Sequence, residues 1–291
     1  MRIHPAAGFL APALAPLVAF FVLPVVAAFA LSLTDFDLYA LADPRNLRFV
    51  GLENYARLLA DATFWRAAAN TLFFVAVGAP LSVAASFAAA LLLCARSARA
   101  QAFFRTVYFQ PVVTTLVAVA VVWRFLYHPR LGLANRALGW LGLGPVDWLG
   151  DPAWAMPAII LLAVWKNFGF NMVIFVAGLQ GIPERLYEAA RLDGATRWQQ
   201  LRSVTIPMLV PTTTLVVLMT LIGHFQLFAE PYVMTQGGPE DSTRSIVLLL
   251  YEQGFRWWNL GQASAIAVLL FGVVLVATLC ARAWRERWAG A

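Results

Sequence analysis

Charged residues are scarce in this chain of 291 residues: aspartate, glutamate, lysine and arginine together make up 12% of it. Soluble domains carry roughly 25%, so the composition excludes an ordinary soluble protein. Hydrophobic residues make up 61% and collect in runs of about 20, the length that crosses the hydrocarbon core of a bilayer as a helix. The sequence therefore predicts an all-α integral membrane protein.

Residues that carry metal, redox or nucleotide chemistry are also rare. The two cysteines lie far apart, and the three histidines form no His-Glu-x-x-His stretch, so we expect no disulfide and no metal site. Lys166 is the single lysine and follows Trp165, which excludes a P-loop, because that motif ends in Gly-Lys-Ser or Gly-Lys-Thr. We expect a chain that is not an enzyme and binds no cofactor itself.

Six apolar segments predict six membrane-spanning helices in a single transmembrane domain of residues 1–291. They lie at about residues 9–33, 71–95, 106–124, 154–181, 204–229 and 260–281. The first is too long for a signal-peptide core and no cleavage site follows it, so we expect it to be retained. Arginines are denser in the short loops on one side, which places both termini in the cytoplasm. They flank apolar runs and form no stripe with aromatic residues, so no nucleic-acid partner is expected.

A compact polar segment, residues 183–207, interrupts the apolar sequence, and we call it the cassette. Pro183 suits the first position of a helix, and Gly194 is a typical helix stop. Thr196 and Gln199 have the spacing of a capping box at the start of a second helix. The cassette is therefore predicted to form a helix, a glycine turn and another helix at the cytoplasmic face, before Pro207 marks entry into the fifth span.

Two interpretations of the cassette are open from local physics. Ala189 and Ala190 present little side-chain bulk, so another protein could approach the backbone closely, and Glu188, Arg191 and Asp193 could set the register by charge pairing. Alternatively, the cassette is an amphipathic helix that rests on lipid headgroups. The second interpretation explains the arginines, but explains poorly why alanines form the apolar face and why a glycine turn follows.

Polar residues at membrane depth are costly and are therefore candidates for a transport pathway. The candidates, in the fourth and fifth spans, are Lys166, Asn167, Phe170, Asn171, His224, Gln226 and Glu230. Asn167, Phe170 and Asn171 recur at helical spacing and share one face, where amides and a ring would suit a sugar. Alternatives stay open: such side chains also bond neighbouring helices, and Lys166 could instead pair with a carboxylate such as Glu230 or line a water-filled cavity.

The cassette resembles the EAA loop of permease subunits from binding-protein-dependent ABC importers. The resemblance rests on Glu188-Ala189-Ala190, then Asp193-Gly194-Ala195, and the closing Ile206-Pro207. Four more stretches resemble the carbohydrate-uptake branch, of the maltose and glycerol-phosphate type: GLENYARLL (51–59), FWRAAANTLFF (64–74), WKNFGFNMVIFVAGLQGIP (165–183) and YVMTQGGPEDSTRSIV (232–247). Leu201 stands where the family often has Phe, and Ile206 where Leu is common, and both remain apolar.

The resemblance implies a type I importer permease that moves a sugar or related polyol across a bacterial inner membrane. Implied partners are a second and usually different permease, two cytoplasmic ATPases that bind ATP and Mg²⁺, a soluble binding protein, and membrane lipid. The implied ATPase-coupling residues are Glu188, Ala189, Ala190, Asp193, Gly194 and Pro207. The family's substrate site corresponds to residues 166–170 and 223–227.

Three other functions are alternatives to this one. An ion-coupled secondary transporter would need acidic residues deep in several spans, whereas Glu230 alone comes close, and no inverted repeat is evident. A membrane-embedded enzyme would need a convergent nucleophile, base or metal set, which Lys166 and His224 do not form. An ABC permease for a non-sugar solute differs from the main interpretation in its cargo alone.

Overall fold

The computed structural model describes residues 5–94 and 98–289, which are helical over most of their length. An isolated antiparallel bridge joins Thr34 and Phe49. The α-helices are α1 Pro5–Leu17, α2 Leu23–Leu31, α3 Leu38–Ala42, α4 Glu53–Ala60, α5 Ala62–Cys94, α6 Ala98–Val113, α7 Leu116–Leu126, α8 Leu133–Trp140, α9 Pro152–Gln180, α10 Glu184–Leu192, α11 Arg197–Gln200, α12 Ile206–Met208, α13 Val210–Phe225, α14 Ala229–Met234, α15 Ile246–Tyr251 and α16 Leu260–Ala289.

Five of the described helical segments are long and apolar enough to cross a membrane, and there are six if a bent pair counts as one span. They are Pro12–Leu31, Ala62–Cys94, the pair Gln101–Val113 and Leu116–Leu126, Pro152–Gln180, Val210–Met234 and Leu260–Ala283. Helices are expected here because every backbone N–H and C=O in hydrocarbon needs a partner within the protein. The predicted all-α membrane fold is confirmed.

Three differences between the helix bounds and the prediction matter for the site. α5 begins at Ala62 rather than near residue 71, because its first turns continue beyond the apolar run. The third span is predicted as one helix, but the structure divides it into α6 and α7, which meet at 98°. The fifth span also stops early, since α13 ends at Phe225 and the chain resumes a helix at α14.

Prolines explain two local irregularities in the spans. The π-helical turns Val18–Val22 and Leu201–Thr205 each end two residues before a proline, Pro24 or Pro207. Proline has no N–H, so the regular bond to the carbonyl four residues earlier is lost. In both places the preceding N–H bonds one residue further back: Leu23 to Val18, and Ile206 to Leu201.

The helices form two compact units. The first contains the described residues up to Trp65 together with Ile246–Gly272, and the second contains Arg66–Ser245 with the described residues from Val273 onward. Within the first unit, apolar side chains of the first span remain largely uncovered, with Phe20 84% and Phe21 69% exposed. Such exposure suits a span that faces lipid or another membrane helix.

Asn54, from the stretch GLENYARLL, ties together the loop after α2 in the first unit. Its side-chain amide is buried and donates to the carbonyl oxygens of Ser32 at 2.9 Å and Thr34 at 2.8 Å. Gly261, a residue of α16, packs closely against the same loop, because a Cβ at this position would overlap the Thr34 carbonyl oxygen. Nearby, the backbone N–H and guanidinium of Arg48 both bond Asp35, which lowers the pKa of that carboxyl.

Asn54→Ala is expected to destabilise this unit by about 1–3 kcal/mol, because buried carbonyl groups lose their donors. The effect should appear as a lower midpoint of thermal unfolding in detergent. Arg57→Ala is the matched control on the same helix, because its ion pair with Glu53 is exposed and contributes little. Equal midpoints for the two variants would contradict this role for Asn54.

α9 is the central helix of the second unit. α6 and α13 pack against it, and α7 packs against α14. The contact with α6 is close at Gly169, where a Cβ would overlap the carbonyl oxygen of Tyr108. One apolar cluster joins α5, α7 and α9 around Phe74 and Ile159, and a second joins α5, α9 and α13 around Phe175.

Asn70, from the stretch FWRAAANTLFF, holds the loop that contains the Gly-Gly-Pro segment. Its amide donates to the carbonyl oxygens of Asp241 at 2.6 Å and Arg244 at 3.0 Å, and Arg66 donates to Glu240 at 3.0 Å. Asn54 and Asn70, which lie in stretches that resemble the carbohydrate-uptake branch, therefore each anchor a loop.

Candidate functional site

A cavity of about 460 Å³ in the second unit brings together all seven predicted pathway residues. It is lined by Phe74, Val112, Leu116, Lys166, Asn167, Phe170, Asn171, Met219, Thr220, Gly223, His224, Gln226, Leu227, Phe228, Ala229 and Glu230. Its volume falls in the range of small-ligand sites, and apolar walls with a few polar groups are typical of such sites. The structure thus places the candidates at one site, and their contact with substrate remains a prediction.

α9 contributes the face that helical spacing predicted. Asn167 and Phe170 are exposed toward the cavity, so an amide and a ring are available to a ligand. Asn171 differs, since it is 4% exposed and its amide donates to the hydroxyl of Thr220 on α13 at 2.9 Å. This bond favours for Asn171 the helix–helix alternative raised from the sequence.

His224, the predicted residue on α13, is buried. It is 4% exposed, and its Nδ1 lies 2.9 Å from the carbonyl oxygen of Thr220. Its ring packs on Phe74, with centroids 5.1 Å apart, and a Cβ at Gly78 would lie 3.1 Å from its Cδ2. The imidazole, which also lines the cavity, therefore packs against α5.

The interruption between α13 and α14 positions two further polar groups. Gln226 is the C-cap residue of α13, and its exposed side chain lines the cavity. Glu230 lies in the first turn of α14, 8% exposed, where a carboxylate complements the positive end of a helix. Both groups line the cavity, one on each side of the interruption.

Lys166 also lines the cavity, but its ammonium group is engaged elsewhere. Its Nζ donates to the carbonyl oxygens of Pro111 at 2.8 Å and Thr114 at 2.9 Å. These carbonyls lie at the end of α6, so Lys166 and Glu230 share the cavity while the lysine's hydrogen bonds go to the backbone.

Sequence reasoning missed Thr220 and Phe74, which hold Asn171 and His224 in place. Thr220 precedes His224 by four residues, so the helical spacing was available as a signal. Phe74 lies on α5 and could not be connected to the site without the fold. A second cavity, of about 530 Å³, is lined by apolar side chains of α5, α9 and α13 with Thr213, and it has few groups that could bond a hydroxylated ligand.

The cassette folds as the sequence predicts. α10 ends at Leu192, Gly194 adopts a positive φ of +79°, and α11 begins after Thr196. Thr196 and Gln199 form the predicted capping box, because each side chain bonds the other residue's backbone N–H. One detail differs: Pro183 is the N-cap of α10 rather than its first helical residue, since its ψ of 128° is extended.

The surface of the cassette is open. Glu188, Ala189, Asp193 and Gly194 are exposed, and Ala190 is half-buried. Leu192 is also 89% exposed, and Trp198 is 68% exposed. The cassette thus exposes two large apolar side chains in addition to the small side chains of Ala189 and Ala190. This combination suits either a protein cleft or lipid headgroups.

A short connection joins the cassette to the fifth span. The hydroxyls of Tyr187 on α10 and Thr205 lie 3.0 Å apart, and Gln200 donates to the carbonyl oxygen of Ala195 at 2.9 Å. The π-helical turn and Pro207 then lead directly into α12 and α13. The cassette is therefore continuous with the helix that carries His224.

The fold and cavity define a class: helical membrane proteins in which several spans form a polar site and an exposed cassette continues into one of them. The chain belongs to the family described as binding-protein-dependent transport system inner membrane component, whose model matches residues 82–288. The recognition of an importer permease from the EAA loop is confirmed.

Individual relatives agree with the family. The lactose transport system permease protein LacF of Rhizobium radiobacter is 34% identical over 96% of this chain and 93% of its own length. The trehalose/maltose transport system permease protein MalF of Thermococcus litoralis is 35% identical over 92% of this chain and 89% of its own. A crystal structure of a bacterial ABC transporter involved in the import of the acidic polysaccharide alginate matches with a TM-score of 0.82 at 25% identity, covering 96% of this chain and 94% of that chain.

Proposed function

We propose that this chain is one permease subunit of an ATP-driven importer that moves a sugar or related polyol across a bacterial inner membrane. The cavity carries this proposal. Its amides at Asn167 and Gln226 can bond hydroxyl groups, and the ring of Phe170 can pack on the C–H face of a sugar. The sugar-transport names of two relatives support the same substrate class.

The cassette supports the coupling half of the proposal. An ATPase subunit would bind it through the small surface of Ala189 and Ala190, with Glu188 and Asp193 pairing with charged groups of that partner. Closure of two ATPase subunits around ATP and Mg²⁺ would then move the cassette as a rigid body. The connection through Pro207 would pass that movement to α13 and the cavity.

The remaining partners and the orientation are part of the same proposal. A second permease, usually a different chain, would complete the pathway, and a soluble binding protein would deliver the sugar from outside the cell. The cassette and both termini would face the cytoplasm, as the arginine distribution predicts.

Reconstitution in proteoliposomes tests this function. The complete importer should accumulate a labelled sugar only when ATP is present on the cassette side and binding protein on the other. Uptake that persists without ATPase subunits and follows a proton or sodium gradient would establish a secondary transporter instead. Uptake of amino acids but of no tested sugar or polyol would establish an ABC permease for a non-sugar solute.

Gln226→Ala should raise the apparent KM for sugar about tenfold, with little change in the ATPase rate. The reason is the loss of hydrogen bonds to the substrate worth about 1.4 kcal/mol, the free energy that corresponds to a factor of ten. Leu215→Ala is the matched control, because Leu215 is an exposed side chain of α13, the helix that Gln226 caps, and it does not line the cavity. Equal KM values for the two variants would exclude Gln226 as a substrate contact.

A further inference from the structure

The break in the third span leaves backbone groups that need partners. α6 ends at Val113 and α7 begins at Leu116, with a change of direction of 98°. The last carbonyl groups of a helix have no partner within it. At membrane depth, irregular backbone is tolerated only where the protein or a wet cavity satisfies it. Either water in the cavity or a residue elsewhere in the chain must therefore supply donors to the end of α6.

Lys166, on α9, supplies these donors from more than 50 residues away. Its Nζ lies 2.8 Å from the carbonyl oxygen of Pro111, 3.4 Å from that of Val112 and 2.9 Å from that of Thr114. An ammonium group has three N–H donors, so these three carbonyls account for all of them. A cation at the carboxyl end of a helix also complements the helix dipole.

The break forms part of the wall of the cavity. Val112 and Leu116, on its two sides, line the cavity next to Lys166. α7 then packs against α14, the helix that carries Glu230. The angle between α6 and α7 therefore sets the positions of Val112 and Leu116 in the cavity wall. Lys166 contacts the backbone at the point where the two helices meet.

We propose that Lys166 is a positioning residue: its ammonium group holds the break between α6 and α7 and thereby shapes the cavity, and it does not bind the substrate. The proposal rests on the proposed function for its transport readout, but its structural readout is independent of transport. It reassigns a residue that the sequence placed among the substrate contacts.

The test compares Lys166→Met and Lys166→Arg in the complete importer in lipid nanodiscs. Hydrogen–deuterium exchange of peptides covering residues 106–126 reports the break, and sugar uptake in proteoliposomes reports the cavity. Lys166→Met should speed exchange in these peptides at least fivefold and raise the KM for sugar at least fivefold. Lys166→Arg keeps the charge and donors, so both values should stay within about twofold of the unaltered importer.

Asn167→Ala is the matched control, because Asn167 is the next residue and lines the same cavity, and its side chain makes no hydrogen bond to the described residues of α6. It should change the KM and leave exchange in residues 106–126 unchanged. If Lys166→Met fails to fold, Lys166→Gln, which keeps a polar side chain, replaces it. The same increases in exchange of residues 106–126 and in the KM for sugar are expected.

Two results would overturn the proposal. One is an uncharged Lys166 variant that raises the KM but leaves exchange at the break unchanged, which would make Lys166 a substrate contact. The other is faster exchange in Lys166→Arg equal to that in the uncharged variants. If the unaltered importer moves no sugar, the proposed function fails, while the exchange comparison still decides the role of Lys166.

Discussion

Gly194→Pro is expected to release the ATPase subunits from this permease and to lower uptake at least tenfold. Gly194 has a φ of +79°, whereas proline requires a φ near −65°. Its N–H also donates to the carbonyl oxygen of Arg191 at 3.1 Å, and proline removes that donor. The turn between α10 and α11 would therefore open and separate the surfaces that an ATPase would bind. Co-purification of the ATPase with the permease measures the effect directly.

A graded variant and a control separate this effect from general instability. Gly194→Ala is compatible with the hydrogen bond but strained at positive φ by about 1–2 kcal/mol, so it should weaken ATPase binding by roughly one order of magnitude. Gly139→Ala is the control, because Gly139 lies within α8 and a Cβ there meets nothing within 4 Å. If Gly194→Pro retains both the ATPase and full uptake, the cassette is a helix pair on lipid headgroups and the coupling proposal is wrong.

Gly169→Val is expected to cost more than about 3 kcal/mol of stability and to prevent recovery of folded protein. A Cβ at this position would overlap the backbone carbonyl oxygen of Tyr108. Backbone cannot move aside as a flexible side chain can, so α6 would have to separate from α9. The same displacement would carry the carbonyls of Pro111 and Thr114 away from Lys166. Fluorescence-detected size-exclusion chromatography after heating measures the loss.

Gly272→Val is the matched control for Gly169→Val. It places the same side chain in another membrane-spanning helix, at a glycine whose added Cβ would meet nothing within 4 Å. It should leave the unfolding midpoint of the isolated chain nearly unchanged. Equal losses from both substitutions would show that valine in a span, rather than the close approach of α6, causes the effect.

The number of spans could be predicted from the sequence because hydrocarbon demands helices of a set length. The cassette could also be predicted, since the capping box of Thr196 and the turn at Gly194 depend only on neighbouring residues. The division of the third span could not. At that break the end of α6 is contacted by Lys166, and this contact exists only because α9 packs beside α6.

The candidate site shows the same division. Helical spacing alone placed Asn167, Phe170 and Asn171 on one face. The bond from Asn171 to Thr220 and the packing of His224 on Phe74 join residues from different helices, so no local pattern could indicate which polar groups remain available to a ligand.

The sequence by itself determined that this protein is a helical membrane protein with a cassette of defined shape, because apolar run length, capping residues and glycine act over a few turns. The tertiary structure decided how the site is built. It bent the third span, interrupted the fifth, and committed the donors of Lys166 to backbone carbonyls while leaving Asn167 and Gln226 open to the cavity. The physical reason is that a polar group at membrane depth must find a partner, and packing alone determines which partner is within reach.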